Sequence, residues 1–226
     1  ELWLNESFAT YFDSLWTEHH KGDDEAAWQR HQQAEAYKTE DRQRWRRSIV
    51  NYGYADPENM FDRHSYPKGS RVLHMLRFVV GDELFRRGIS NYTHRNAFRC
   101  AETADLRTAM EETSGWGLGW FFDEWLHRGG HPEFEVEHSW DGAQKQLTVT
   151  VRQKQKVDDL TPLFRMPIEI DVATDAGVET KRVTVAKAEE TFHFALDSRP
   201  RWICVDPRDW LLMDLTIDLS KQEWLA

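Results

Sequence analysis

Over residues 1 to about 130, apolar side chains recur at spacings of three and four, the period of helices with one buried face. Leu2 to about His20 forms one such stretch and stops before Lys21-Gly22. Asp23 or Asp24 caps the next, which is expected to run through about Lys38. Residues 40 to 64 are polar and broken by Asn51-Tyr52-Gly53 and Asp56-Pro57, so a loop-rich connection with one short helical piece is expected there. Lys68 to about Val80 then carries Val72, Leu73, Leu76 and Val79 on one stripe and stops at Gly81. Asp82 starts a helix toward Phe98, Thr103 with Asp105 opens another that ends near Gly115, and Gly119 to His127 forms a last short one.

From about residue 133 the period changes from helical to alternating. Leu147-Thr148-Val149-Thr150-Val151, Ile168-Glu169-Ile170-Asp171-Val172, Arg182-Val183-Thr184-Val185 and Phe192-His193-Phe194-Ala195-Leu196 alternate in steps of two and are rich in β-branched residues, the pattern of half-buried strands. Asp141-Gly142, Asp158-Asp159, Asp175-Ala176-Gly177 and Ser198-Arg199-Pro200 punctuate them, which is the layout of an antiparallel sandwich. Gly129-Gly130-His131-Pro132 admits no regular element and marks the change. The expected fold class is therefore α+β in two domains: a mostly helical part over 1–131 and a β-sandwich over 132–219, with 220–226 starting a further helical segment.

Composition narrows the partners. The 226 residues hold 29 Lys plus Arg against 39 Asp plus Glu, a formal charge of -10, which lacks the basic excess that phosphate binding needs, so no nucleic-acid partner is expected. Mean hydropathy is -0.73, and no apolar run approaches the ~18 residues of a membrane span. Eleven Trp and 13% aromatics supply enough apolar area to drive collapse into an ordered core. Two cysteines, Cys100 and Cys204, cannot build a disulfide framework.

Candidate chemistry begins at the N-terminus. Glu1-Leu2-Trp3-Leu4-Asn5-Glu6-Ser7-Phe8-Ala9-Thr10-Tyr11-Phe12 places a carboxylate, Glu6, among residues that otherwise suit a buried helix. Such a carboxylate needs an Arg, a backbone cap or a metal. This run resembles the segment that follows the zinc-binding HExxH motif in M1-family (gluzincin) aminopeptidases, in which the Glu of the Asn-Glu pair is the third zinc ligand. Met60-Phe61-Asp62-Arg63-His64-Ser65-Tyr66-Pro67-Lys68-Gly69 is similar to the family's Tyr-x-Lys-Gly segment, whose Tyr stabilises the oxyanion. Trp120-Phe121-Phe122-Asp123-Glu124-Trp125-Leu126 with Gly130-His131-Pro132 resembles the end of the family's catalytic domain. Pro162 to Pro167 and Val205-Asp206-Pro207 fit its sandwich domain.

The resemblance implies a zinc aminopeptidase acting on peptide substrates, with Glu6 as a metal ligand and Tyr66 as the catalytic oxyanion donor. In the family a zinc held by two His and one Glu activates a water, and a separate Glu takes its proton. No HExxH occurs in this sequence. The resemblance places both His ligands, the base and the amine-binding loop in an N-terminal part of a parent protein that is not in this chain. On that reading the chain alone is inactive, its compartment is unreadable, and the exposed face of its helical half favours self-association. A non-catalytic M1-like scaffold or interaction subunit is the alternative, since fold alone does not fix function.

Other histidines offer no substitute by pattern. His127 and His131 are four apart across two glycines, the Glu124/His127 spacing has no convincing second pair, and His19-His20 suits a solvated helix end near the negative pole of the dipole. Arg42-Gln43-Arg44-Trp45-Arg46-Arg47 is a short basic run in an acidic chain, expected to be a solvated face or a clamp onto parts of the parent protein that are not in this chain.

Overall fold

The computed structural model describes residues 1–219, which form two compact units. The helical unit comprises Glu1–Gly130 together with Asp209–Leu212, and the β unit comprises His131–Arg208 and the residues from Met213 on. The helical segment expected at 220–226 lies outside the described residues.

The helical unit is built from α1 (Leu2–Lys21), α2 (Asp23–Gln43), α3 (Gly69–Val80), α4 (Asp82–Arg95), α5 (Thr103–Ser114) and the short α6 (Gly119–Phe122). Gly22 separates α1 from α2 and Gly81 separates α3 from α4, at φ +93 and +87, a region only glycine enters without strain. α1 buries Trp3, Ser7, Tyr11, Ser14 and Thr17, a stripe at steps of three and four. α3 is buried along its whole length and forms the centre of the unit. Its Arg71 is fully buried and donates to Asp209 Oδ2 at 2.8 Å and to the Leu211 carbonyl at 2.7 Å, while His74 stacks on Trp210 with centroids 4.5 Å apart. The Asp209–Leu212 segment thereby supplies acceptors and a ring to the helical core.

α2 runs five residues past the expected Lys38, to Gln43. Its buried face holds Arg30, Lys38 and Asp41 beside Ala26, Ala34 and Tyr37, so charged residues mask the helical period that its pairing restores. Between α2 and α3 the chain makes a single turn of 3₁₀ helix at Pro57–Met60 and then a π-turn at His64–Lys68 that leads directly into α3. Asp123–His127 forms a second π-turn after α6.

The β unit has seven strands: β1 (Glu133–Asp141), β2 (Gln146–Gln153), β3 (Met166–Thr174), β4 (Gly177–Val185), β5 (Glu189–Ala195), β6 (Trp202–Val205) and β7 (Asp214–Ile217). One sheet has the order β5-β2-β1-β7 and the other β4-β3-β6. Alternate residues are buried, Leu147, Val149 and Val151 on β2 and Ile168, Ile170 and Val172 on β3, as a two-layer core demands. All pairings are antiparallel except β1 with β7, which is parallel and departs from the wholly antiparallel sandwich expected. His131 Nε2 lies 3.1 Å from Asp214 Oδ2, beside that parallel pair. Among the described residues no helix is long and apolar enough to cross a membrane.

Candidate active site

α1 carries Glu6 and the π-turn carries Tyr66. The turn takes its form from sequence. Pro67 has no N–H to offer, so the ladder is re-formed one residue wider: Lys68 N donates to the Arg63 carbonyl, five residues back, at 3.0 Å. Asp62 caps the entry, its Oδ1 accepting from the backbone N–H of His64 at 3.0 Å and of Ser65 at 3.1 Å. The widened turn sends His64 and Lys68 inward, both wholly buried, and leaves Tyr66 half-exposed on the outside.

The inward side is a dense charged cluster. Arg47 makes a two-point pair with Asp62, Nε to Oδ2 at 2.9 Å and Nη2 to Oδ1 at 2.6 Å, and both groups are buried. His64 lies between two carboxylates, Nδ1 3.3 Å from Asp62 and Nε2 3.6 Å from Asp41. Asp41 in turn accepts from Arg46 Nε at 2.8 Å. Burial would push the Asp41 carboxyl up, but its contact with His64 and the Arg46 guanidinium hold it at about 2. Asp62 is likewise held well below the usual carboxylate range, by His64 and Arg47 against the effect of burial. Arg44 pairs with Glu40 at 3.0 Å, so three arginines of the basic run are spent on acidic partners inside the unit.

On the outward side the Tyr66 phenol faces the Glu6 carboxylate; slight burial and then the nearby carboxylate raise the phenol above its ordinary pKa. Asn5 Nδ2 reaches Glu6 Oε1 at 3.2 Å. Glu6 is half-buried, less enclosed than its apolar neighbours suggest, and a phenol and an amide meet its need for partners. The two are held in register from behind: Ser7 Oγ donates to the Ser65 carbonyl at 2.7 Å, and Gly69 fits against Ser7 because it has no side chain. A Cβ at Gly69 would overlap Ser7 Oγ and lie 2.7 Å from Ser7 Cβ. Beside Tyr66, with Phe61 6.5 Å from its ring, opens a groove lined by Trp3, Ile49, Tyr52, Met60, Phe61 and Ser65. At its end Glu1 accepts from Tyr52 at 2.5 Å and from Thr103 N at 2.7 Å.

Glu6 and Tyr66, the two residues singled out from sequence, thus stand together. Lys68 and Gly69 fall in the Tyr-x-Lys-Gly segment read from sequence, but their supporting role, like that of Ser7 and His64, escapes such a reading; the signal for it is an Asp-x-His-Ser cap with His and Lys at a spacing of four. A catalytic zinc takes three protein ligands. Among the described residues Glu6 falls in no group of three metal-binding side chains, so these residues fit one ligand of such a site and not the whole set. One group of three does occur, Glu40, Asp62 and His64, with ligand atoms within 4.8 Å of one another. Its Asp62 spends both oxygens on Arg47, and the lysine of the same cluster adds positive charge, so a cation is poorly served there. His20 stacks on Trp16 at 4.1 Å, and His127 is exposed.

Comparison with known proteins places these elements. The model of the peptidase family M1 domain matches residues 1–125. The probable aminopeptidase 1 of Sulfurisphaera tokodaii is 32% identical over 180 residues, covering 76% of this chain and 22% of that protein. Bovine (Bos taurus) glutamyl aminopeptidase is 26% identical over 236 residues, covering 100% of this chain and 24% of its own length. In three dimensions the chain resembles Legionella pneumophila aminopeptidase A, solved in complex with aspartic acid, with a TM-score of 0.79 at 19% identity over 99% of this chain and 25% of that one. The chain spans about a quarter of the length of the relatives it matches. With the family's domain matched over the whole segment that holds Glu6, the π-turn and α3, this chain belongs to peptidase family M1.

Proposed function

We propose that this chain carries two working groups of an M1 zinc aminopeptidase: Glu6, a carboxylate ligand to the metal, and Tyr66, a donor to the oxyanion that forms when the first peptide bond of a substrate is attacked. The observation that supports this most is the Tyr66 phenol standing beside the Glu6 carboxylate, two groups far apart in sequence and brought together where α1 packs on the π-turn. A scaffold has no need to present a phenol beside a carboxylate at the rim of a groove.

Zinc, when bound, supplies a Lewis acid and an acidified water. The remaining chemistry belongs to the chain. Glu6 offers an oxygen to the metal while Asn5 steadies its Oε1. Tyr66, freed from Glu6, keeps its proton at neutral pH because an ordinary phenol ionises only near pH 10, and so remains a hydrogen-bond donor. The groove beside Phe61 and Tyr52 offers apolar walls to a peptide. With one ligand of the set, the chain by itself is expected to be inactive.

Two measurements test this. Equilibrated with micromolar zinc and freed of excess, the purified chain is expected to hold well below one zinc per molecule; a ratio near one means that the described residues complete a site by themselves. In the whole enzyme, Tyr66→Phe should lower kcat roughly a hundred- to a thousand-fold with little change in KM, and an unchanged kcat removes Tyr66 from the mechanism.

A further inference from the structure

The inward face of the π-turn contains a group that the proposed function does not use. Lys68 is 0% exposed, its Nζ has no hydrogen-bond partner, and it sits over the Tyr37 ring of α2 at 5.1 Å from the centroid. A buried ammonium without a hydrogen bond is costly, and a lysine stem long enough to reach solvent elsewhere would relieve the cost. Here the turn holds it inside. The groups that act on it are Asp41 and Asp62, which favour its charge, and Arg46 and Arg47, which oppose it; His64 from the same turn stands between the two aspartates. The α1 residue packed on the turn, Ser7, carries no charge.

His64 and Lys68 are the first and last residues of the turn, and Tyr66 is its midpoint, facing the other way. Whatever fixes the two ends on the inside therefore fixes the direction of the phenol on the outside. We propose that Lys68 is a positioning residue: its side chain, buried and seated on the Tyr37 ring, holds the π-turn in the register that presents Tyr66 to Glu6.

Loss of the proton removes the cost of an ammonium held inside without a hydrogen bond, so the neutral amine seats the turn more firmly and the protonated one loosens it. Burial pushes the Lys68 amine down to about 7, with the nearby arginines adding to it and Asp41 and Asp62 resisting, so this change falls in an accessible range. The inference takes from the proposed function only that the Tyr66–Glu6 pair matters; its test reads that pair directly and needs neither metal nor hydrolysis.

The test is NMR of the 226-residue chain with 13C at tyrosine Cζ and lysine Cε, the Tyr66 signal being assigned by Tyr66→Phe. In the wild type the Tyr66 signal is expected to step with the same midpoint as the Lys68 Cε signal, near pH 7. In Lys68→Met, which keeps the stem and removes the charge, the step should vanish and Tyr66 should sit at its high-pH position throughout. A lysine that merely fills space would leave Tyr66 unmoved in both experiments. A Tyr66 signal that coincides with wild type in a folded Lys68→Met chain overturns the proposal. Where that variant does not fold, the wild-type titration decides: a Tyr66 signal with no step at the Lys68 midpoint, or a Lys68 that does not titrate between about pH 5.5 and 9, overturns it equally. Failure here leaves the zinc and kcat tests of the proposed function untouched, and their failure leaves the shared midpoint standing.

Discussion

Gly69→Ala is the change most sharply constrained by the packing of α1 against the π-turn. Gly69 has φ -63 and ψ -37, so alanine fits the backbone and by helix propensity alone would stabilise the chain by about 1 kcal/mol. The new Cβ, however, would overlap Ser7 Oγ and lie 2.7 Å from Ser7 Cβ, an overpacking that typically costs about 1 to 3 kcal/mol. The net effect in the wild type is a destabilisation of roughly 0 to 2 kcal/mol. Ser7→Gly removes both clashing atoms at the cost of the Ser7–Ser65 hydrogen bond and some propensity, together about 1.5 kcal/mol. The nearest remaining atom to the new Cβ at position 69 is then the His64 carbonyl at 3.7 Å, an ordinary contact. Gly69→Ala is therefore expected to change sign: destabilising beside Ser7, stabilising by about 1 kcal/mol in the Ser7→Gly background, a coupling of roughly 1 to 3 kcal/mol. Ser7→Ala, which leaves the Cβ contact, should give an intermediate coupling. Urea unfolding followed by far-ultraviolet circular dichroism, where the helices dominate, measures every corner of the cycle. If Gly69→Ala has the same effect in both backgrounds to within about 0.5 kcal/mol, the claim that this contact sets the spacing of Glu6 and Tyr66 is wrong.

Further outcomes are expected. Arg47→Met takes from the buried Asp62 its two-point partner, leaving it His64 and two backbone N–H groups, and should cost about 3 kcal/mol, measured by urea unfolding; a loss below about 1 kcal/mol would show that water reaches the pair. Because Asp41 and Asp62 bind protons less readily folded than unfolded, the stability they contribute is present above about pH 4 and is lost as pH falls toward 2; Asp41→Asn should flatten that fall in a series of thermal melts. Lys68 acts with the same sign in a higher range: its folded pKa also lies below the unfolded one, so the unfolded chain binds more protons above about pH 7 and stability should rise from there toward pH 9, a rise that Lys68→Met abolishes. Phe12, Trp16 and Trp28 on α1 and α2 are each about half exposed, and light scattering is expected to find species larger than the monomer; a monodisperse monomer at every concentration would count against it.

Much of the fold is written in local periods. α1, α3 and α5 begin and end within a residue or two of their sequence signals; a glycine follows each of them, and Glu102 with Asp105 forms a capping box at the start of α5. α2 outruns its signal, since Arg30, Lys38 and Asp41 occupy its buried face and look like surface until their partners are known. β6 and β7 are four residues each, too short to show alternation, and β7 joins β1 in parallel, a pairing no hairpin signal can announce. The site is legible in kind and not in arrangement. Glu6 and Tyr66 stand out by resemblance to known motifs; their contact depends on Ser7 and Gly69 meeting across helices far apart in sequence. Lys68 is marked by the Tyr-x-Lys-Gly resemblance, and only the widened turn reveals that it points inward.

The placement of Asp209–Leu212 in the helical unit has a consequence for the order of events during synthesis. Arg71 finds its acceptors 138 residues downstream at Asp209. At roughly 5 to 20 residues per second the ribosome needs about 7 to 30 s to make that stretch, and meanwhile a guanidinium destined for full burial has no carboxylate to meet. The helices can collapse early, but α3 cannot close its core until nearly the whole β unit has emerged. A nascent helical unit is thus held open for seconds, a window in which a chaperone or a second nascent chain can engage it, and a cut at Gly130 would make that window permanent.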